Sequence, residues 1–353
     1  MKKKILFLGE TYRADAQTWI NGLQDFGDFN IITWELQTPS NSFVNKVLRI
    51  FEYLCCVSKI RKIVQIKKPN IVIAERATSY GFLAALSGCK TVVIAQQGIS
   101  DLWPENSVLF PLKKIIQNYA FKKATLIHAW GEVMIPAMIA AKVPASKIMM
   151  LPKGIDLNKF FPANDFAIKQ EKLFAIVTRS LETEYDHQTI LKAFAILKSK
   201  NIDFQLTIIG DGSQKKFLQQ LSKDLQIDKN VFFTGKINNN DLPKFLEQHQ
   251  FYISMPTTEG VSASLFEAMA CKCYPIVSDI PGNAVFIKNN KNGSLTLVGN
   301  AEKLAETLIV AYANEPQILS AVHLNYKFVH QNANYATNMK IISEKYHEII
   351  ENQ

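Results

Sequence analysis

Two glutamates stand apart in the stretch MPTTEGVSASLFEAMACKCYPIVSD, Met255 to Asp279: Glu259 in a turn with Gly260, and Glu267 in the helix-forming run that follows. Seven residues separate them. Along one helix, eight steps leave the side chains roughly 80° out of register and about 12 Å apart. That excludes a close catalytic pair on one helix face and suits two grips on a long ligand lying across a helix start. FYISMP predicts a strand, TTEG the turn at its carboxyl end, and Ser262 or Ser264 the cap of the helix SLFEAMA. The first N–H groups of a helix have no partner within it and suit a phosphate. Gly260 allows close approach to the backbone. Glu259 could then hydrogen-bond sugar hydroxyls, and Glu267 a ribose diol. Ser264-Leu265-Phe266-Glu267 also reads S-x-x-E, a capping box in which Glu267 would be structural. Spacing leaves both readings open.

The elements that must position these residues follow an α/β rhythm. KILFLG, FNIITWE, NIVIAE, TVVIAQ, ATLIHAW and KIMML predict strands in the first half, with helices such as ADAQTWINGLQDF and FPLKKIIQNYAFKK between them. LFAIVTR, FQLTIIG, NVFFTG, FYISMP and CYPIVS restart the rhythm, and after Asn300 the pattern is helical to the end. PKGIDLNKFFPANDF, rich in turn-forming residues and without a period, reads as the linker. The expected organisation is residues 1–160, residues 161–333, and a terminal helix 334–353 returning to the first domain. Two doubly wound domains facing each other would place a cleft at the carboxyl ends of both sheets. Neither half has G-x-G-x-x-G after a strand; the first strand ends at Gly9 alone, which disfavours a dinucleotide oxidoreductase. No P-loop occurs.

The 353 residues exceed what one core usually spans, and 48% hydrophobic with 20% charged residues is a globular composition. The net charge of +9 is uneven: residues 1–165 hold 21 Lys+Arg against 12 Asp+Glu, and the remainder is neutral. Within the basic half, Ser42 to Lys68 carries seven positive charges against Glu52, with Val44, Val47, Leu48, Phe51 and Leu54 at helical spacing. It reads either as a core-facing helix with a solvated face or as a surface for anionic lipid. No aromatic-basic module points to nucleic acid. The apolar run Ile5 to Leu8 is too short for a secretion signal and reads as a buried strand. No run reaches the ~18 residues of a spanning helix. Five cysteines without C-x-x-C pairs point to reduced, buried thiols, and the six histidines form no metal constellation. His128 reads as a core residue, and His187 as a capping or surface one. The expected location is cytoplasmic.

EGVSASLFEAMACKCYPIVSDIPGN resembles the signature of the family 4 retaining glycosyltransferases, whose two Rossmann-like domains form the architecture called GT-B; Lys272 replaces a usual Gly. LPKGIDLNKFFP, IIGDGS, VFFTGKINNNDLPKFL and NNKNGSLTLVGNAEKLAETL match further landmarks in order, with Lys153 for a usual Asn. The resemblance implies transfer of a sugar from a UDP- or GDP-sugar to a glycan or lipid-linked acceptor, with anomeric retention and neither metal nor cofactor. It implies that Glu267 holds the ribose, Glu259 the transferred sugar, and Arg179 the diphosphate. The backbone of Gly260, Val261, Ser262, Ala263 and Ser264 would bind the distal phosphate and sugar. Gly210, Gly212, Gly235 and Lys236 would border the nucleotide, with Gly9 and Arg13 contributed by the first domain.

Two departures stand out. The family usually adds a diphosphate lysine about five residues after the arginine, where TRSLETEYDHQ has Glu184 and Tyr185; Arg13 is the candidate replacement. Many members have a His facing the sugar where this chain has Gln97, which can hydrogen-bond a hydroxyl but not shuttle a proton. An active transferase and a non-catalytic GT-B partner that binds a nucleotide sugar or glycan therefore both stand as readings. An anionic membrane surface is the expected further partner.

Overall fold

The computed structural model describes residues 2–37, 43–96, 98, 109–162 and 172–352; of residues 43–51 and 54 it describes the backbone alone. The chain divides into two compact units, Met1–Lys153 with Ala336–Gln353, and Gly154–Tyr335.

The first unit is built on a parallel sheet of β1 (Lys4–Leu8), β2 (Asn30–Trp34), β3 (Ile71–Glu75), β4 (Val92–Gln96), β5 (Leu126–Ala129) and β6 (Ile148–Met150), in the order β2-β1-β3-β4-β5-β6. All six are the apolar runs of the sequence. β3, β4 and β5 are buried at every position, which explains why they read as continuous Val, Ile and Ala rather than alternating with polar residues. Edge strand β2 has no fully buried position. The helix Tyr335–Glu351 docks here through Tyr346, whose hydroxyl meets Nδ1 of the buried His128 at 3.1 Å. The other ring nitrogen of His128 lies 2.7 Å from the Leu151 carbonyl, which can only accept. Nε2 therefore carries the proton and Nδ1 accepts from Tyr346.

The second unit contains β7 (Leu173–Val177), β8 (Phe204–Ile209), β9 (Val231–Gly235), β10 (Phe251–Ser254), β11 (Tyr274–Ser278) and β12 (Ser294–Thr296), all parallel and ordered β12-β11-β10-β7-β8-β9. The period of two along the strands divides its core. Leu173, Ala175, Val177, Phe251, Ile253 and Ile276 pack against the helices His187–Ser199 and Ala301–Tyr312. Ile176, Tyr252 and Val277 face the opposite way, onto Leu265, Phe266 and Met269 of the helix Ala263–Ala270. Both faces are thus covered by helices, as a doubly wound sheet requires. The three-residue edge strand β12 is not among the strands predicted from the sequence; its alternation, Ser294-Leu295-Thr296, is too short to stand out.

Candidate functional site

In both sheets the strand succession reverses at one point, where a crevice opens beyond the carboxyl ends of the two flanking strands. In the second unit that point lies between β7 and β10. Arg179 follows β7, and the loop carrying Glu259 follows β10. Their meeting cannot be read from either segment alone, since 80 residues separate them.

Arg179 Nη1 donates to Ser262 Oγ at 3.0 Å and to Ser264 Oγ at 2.9 Å, while Nη2 pairs with Glu259 Oε2. The guanidinium lies 4.3 Å from the centre of the Tyr185 ring, and Tyr252 hydrogen-bonds Ser264 at 2.9 Å. The Arg179 and Glu259 side chains are only 12% and 16% exposed. Burial opposes the Arg179 charge, yet Tyr252, Glu259 and Tyr185 together hold its pKa above the ordinary value. A buried charge needs such compensation; removing one partner of a buried pair costs about 3–5 kcal/mol.

Ser262 is the N-cap of the helix Ala263–Ala270, its Oγ accepting from Leu265 N at 3.4 Å. This removes the capping-box reading. With the cap at Ser262, Glu267 is the fifth helical residue rather than the third, beyond reach of a reciprocal bond to the cap. Gly260 is buried, Val261 and Glu267 are half-buried, and Ala263 is exposed.

The neighbouring strand ends bring Gly210, Gly212, Gly235 and Lys236 to the same edge of this sheet. Gly210 has φ +151°, and a Cβ there would lie 2.2 Å from the Arg179 carbonyl oxygen. At Gly212 it would lie 2.5 Å from that of Leu181. These glycines let the loop after β8 pack against the loop that carries Arg179, so the turn and the site are one construction. Leu181 N donates to the Asp211 carbonyl at 3.0 Å, and Gly210 N to the Gly235 carbonyl at 3.0 Å. Lys236 is exposed. Sequence reading missed Gly282, whose added Cβ would meet the Glu259 carbonyl oxygen at 2.1 Å. It lies in the PG dipeptide after β11, inside the signature stretch quoted for the resemblance, which did not show what it packs against. His187 is neither surface nor cap: Asp186 caps that helix, and His187 is 2% exposed beside the backbone of Arg179. Burial, with the Arg179 charge adding to it, lowers its pKa to about 4.

Gly9 and Arg13 belong to the other unit, beyond β1, where that sheet reverses between β1 and β3. A Cβ at Gly9 would lie 2.6 Å from the Glu75 carboxylate, which accepts from Glu10 N at 3.0 Å. Arg13 pairs with Asp15 at 3.3 Å and with Glu10 at 3.5 Å. Glu10 also meets Arg76 at 3.5 Å, and Arg76 holds a left-handed φ of 65°. Sequence reading passed over Glu10, Glu75 and Arg76, whose signal was charge directly following two apolar strands. Gln97 lies outside the described residues; beside it, Gln96 Nε2 donates to the Gly98 carbonyl at 3.1 Å.

Among the described residues no group of three His, Cys, Asp or Glu is placed to hold a metal ion. The cysteines are all free; Cys56, Cys271 and Cys273 are buried, but Cys55 is exposed, against expectation, on the outer side of its helix.

Two parallel, doubly wound sheets with these connections define the GT-B architecture. HepE of Anabaena, solved in complex with UDP, superposes with TM-score 0.79 at 16% identity, covering 99% of this chain and 100% of that one. Residues 160–326 match the family model described as glycosyl transferases group 1. Similar proteins include the N-acetylgalactosamine-N,N'-diacetylbacillosaminyl-diphospho-undecaprenol 4-alpha-N-acetylgalactosaminyltransferase of Campylobacter jejuni, 24% identical over 66% of this chain and 60% of the relative. The UDP-Gal:alpha-D-GlcNAc-diphosphoundecaprenol alpha-1,3-galactosyltransferase of Escherichia coli is also 24% identical, over 64% of this chain and 61% of the relative. The aligned region thus spans about 60% of the length of these curated relatives.

Proposed function

We propose that the protein is a retaining glycosyltransferase that moves a sugar from a nucleotide-sugar donor, UDP- or GDP-linked, to a glycan or lipid-linked acceptor in the synthesis of a surface polysaccharide or glycoconjugate. The observation that carries this reading is the Arg179, Glu259, Ser262 and Ser264 network, built at the strand reversal inside the segment that matches the family.

Arg179 donates to two serines and pairs with Glu259. An arriving diphosphate offers a better partner, since hydrogen bonds between charged groups are about twice as strong as neutral ones. In this reading Arg179 turns to the diphosphate and releases Glu259 to the hydroxyls of the transferred sugar. Ser262, Ser264 and the free N–H groups of the helix start take the distal phosphate. Glu267, one turn in, takes the ribose diol, and Gly210, Gly212, Gly235 and Lys236 border the nucleotide. Tyr185, which with Glu184 occupies the region where the family has its lysine, holds the guanidinium flat instead of adding a charge; Arg13 is the second cation for the diphosphate. Gln97 hydrogen-bonds the sugar, and the acceptor proton passes to the leaving phosphate, so no side chain need act as base. Helix start and guanidinium together stabilise the charge on the leaving diphosphate, and no metal is required. The relatives named for transfer to diphospho-undecaprenol support a lipid-linked acceptor, and in this reading the protein works peripherally on the inner face of the cytoplasmic membrane.

The test is donor hydrolysis and transfer over a panel of UDP-, GDP- and ADP-sugars, with and without EDTA. One donor should be turned over, with or without chelator, and Arg179→Ala should abolish it. Donor binding without any turnover would leave the non-catalytic reading, which Gln97 and the absent lysine favour. Activity that vanishes in EDTA and returns with Mg²⁺ would refute the metal-free mechanism.

A further inference from the structure

The helix Phe110–Lys123 turns Gln117, Ala120 and Phe121 inward and leaves Leu112 54% and Ile115 67% exposed. Lys114 and Lys122 are exposed beside them, and the helix sequence FPLKKIIQNYAFKK contains four lysines and no acidic residue. A solvated helix face normally mixes charges of both signs; apolar side chains among lysines alone match a partner that is apolar and anionic at once. The helix is not isolated on its side of the sheet. Phe82 stacks on Tyr53 of the helix Phe43–Lys67, centroids 6.1 Å apart, and meets Tyr119 of the helix Phe110–Lys123 edge-on at 5.6 Å. Arg61 reaches across to the Leu86 carbonyl at 2.8 Å. Both helices therefore flank the segment 76–86 on one side of the first unit. The described basic residues of the longer helix, Lys59, Arg61, Lys62 and Lys67, are exposed. Among the described residues no helix is long and apolar enough to cross a membrane.

We infer that this side of the first unit rests on an anionic lipid bilayer, with Leu112 and Ile115 entering the headgroup boundary and Lys114 and Lys122 meeting lipid phosphates. The helix Phe43–Lys67 lends charge from beside it. This rests on the lipid-linked acceptor reading and assigns it a surface; the sequence pointed to the charged helix, whereas the apolar contact lies on its neighbour. The outer side of a helix is convex and offers no groove, which fits a plane better than a peptide. Charge supplies attraction that salt screens, and two apolar side chains give shallow rather than spanning insertion.

Vesicle sedimentation tests it, with phosphatidylglycerol–phosphatidylcholine vesicles against phosphatidylcholine alone. The whole chain should bind only the anionic vesicles and release at high salt. Leu112→Asp with Ile115→Asp, and separately Lys114→Glu with Lys122→Glu, should each weaken binding about tenfold or more. UDP affinity and melting temperature, measured on the same variants, should stay unchanged because all four side chains are exposed. Variants that bind like the wild type, or a wild type that ignores anionic vesicles, would overturn the inference. So would a fall from dimer to monomer in the Leu112/Ile115 variant by light scattering, which would make the surface a self-contact. Vesicle binding in a protein that turns over no donor would uphold the surface and count against the transferase reading alone.

Discussion

Gly282 tests how the donor loop is held. A Cβ at this position would stand 2.1 Å from the Glu259 carbonyl oxygen and 2.9 Å from that of Gly260, where ordinary contact starts at 3.4 Å. Gly282→Ala therefore demands a displacement of about 1.3 Å from one side or the other. The turn that carries Gly282 cannot retreat. Its neighbour Asn283 is 2% exposed and donates to the Ser278 carbonyl at 2.9 Å, and Ser278 Oγ donates to the Pro256 carbonyl at 2.7 Å. The loop at Glu259 must give way, carrying the partner of Arg179 with it. Overpacking of this kind costs roughly 1–3 kcal/mol, a few degrees in melting temperature for a unit of this size. A misplacement near 1 Å costs a reaction on the order of 10²-fold. The expected result is a folded variant with turnover reduced about a hundredfold and nucleoside monophosphate affinity unchanged, since the proposed binding mode puts base and ribose away from this loop. Turnover and melting temperature both equal to wild type would refute the claim that close backbone packing at Gly282 sets the position of Glu259.

Three further outcomes follow from the same geometry. Because Ser262 and not Ser264 caps the helix, Glu267→Gln should leave the melting temperature nearly unchanged while weakening nucleoside diphosphate binding about tenfold or more, the worth of a charged hydrogen bond; isothermal calorimetry with a melting curve decides, and a lower melting temperature at unchanged affinity would return Glu267 to a structural role. Tyr185→Ala should loosen Arg179 and weaken diphosphate binding by about a factor of ten, the effect of a desolvated cation–π contact of about 1–2 kcal/mol, whereas Tyr185→Phe keeps the ring and most of the affinity; equal losses in both variants would point to the hydroxyl instead. His128 and His187 both have folded pKa values lowered to about 4, chiefly by burial, so their stabilising contribution is complete above the unfolded value near 6.5 and is lost as pH falls toward 4; between pH 7 and 5 the two should remove roughly 3–4 kcal/mol, and a urea midpoint that stays flat over that window would contradict their burial as neutral rings.

Much of the fold was legible before any coordinates, because a strand buried on both faces must be an unbroken apolar run. That constraint acts within five or six residues, and β3, β4, β5, β10 and β11 announced themselves that way; the more exposed β2, β6 and β9 were read from shorter apolar runs between turn residues. Helix caps were half legible: the SAS triplet marked the start of the helix Ala263–Ala270, but only packing against Arg179 and Tyr252 distinguished Ser262 from Ser264. The resemblance around Glu259 and Glu267 named both carboxylates, since their chemistry depends on side-chain type in a short segment. Local pattern has no access to which segments meet. That β7 and β10 lie side by side, that Arg179 closes on Glu259 across 80 residues, and that Gly282 presses on the same loop are consequences of strand order in a sheet. His187, polar and next to a cap, looked like a surface residue and is buried, because the hydrophobic effect acts on the whole packed unit and not on one side chain's preference. Leu112 and Ile115 show the converse: apolar residues of a helix that the sequence predicted, they are left exposed among the described residues of the packed structure. Residue type and period are local and were written in the chain, whereas adjacency, burial and exposure come from closing the sheets and were decided only in three dimensions.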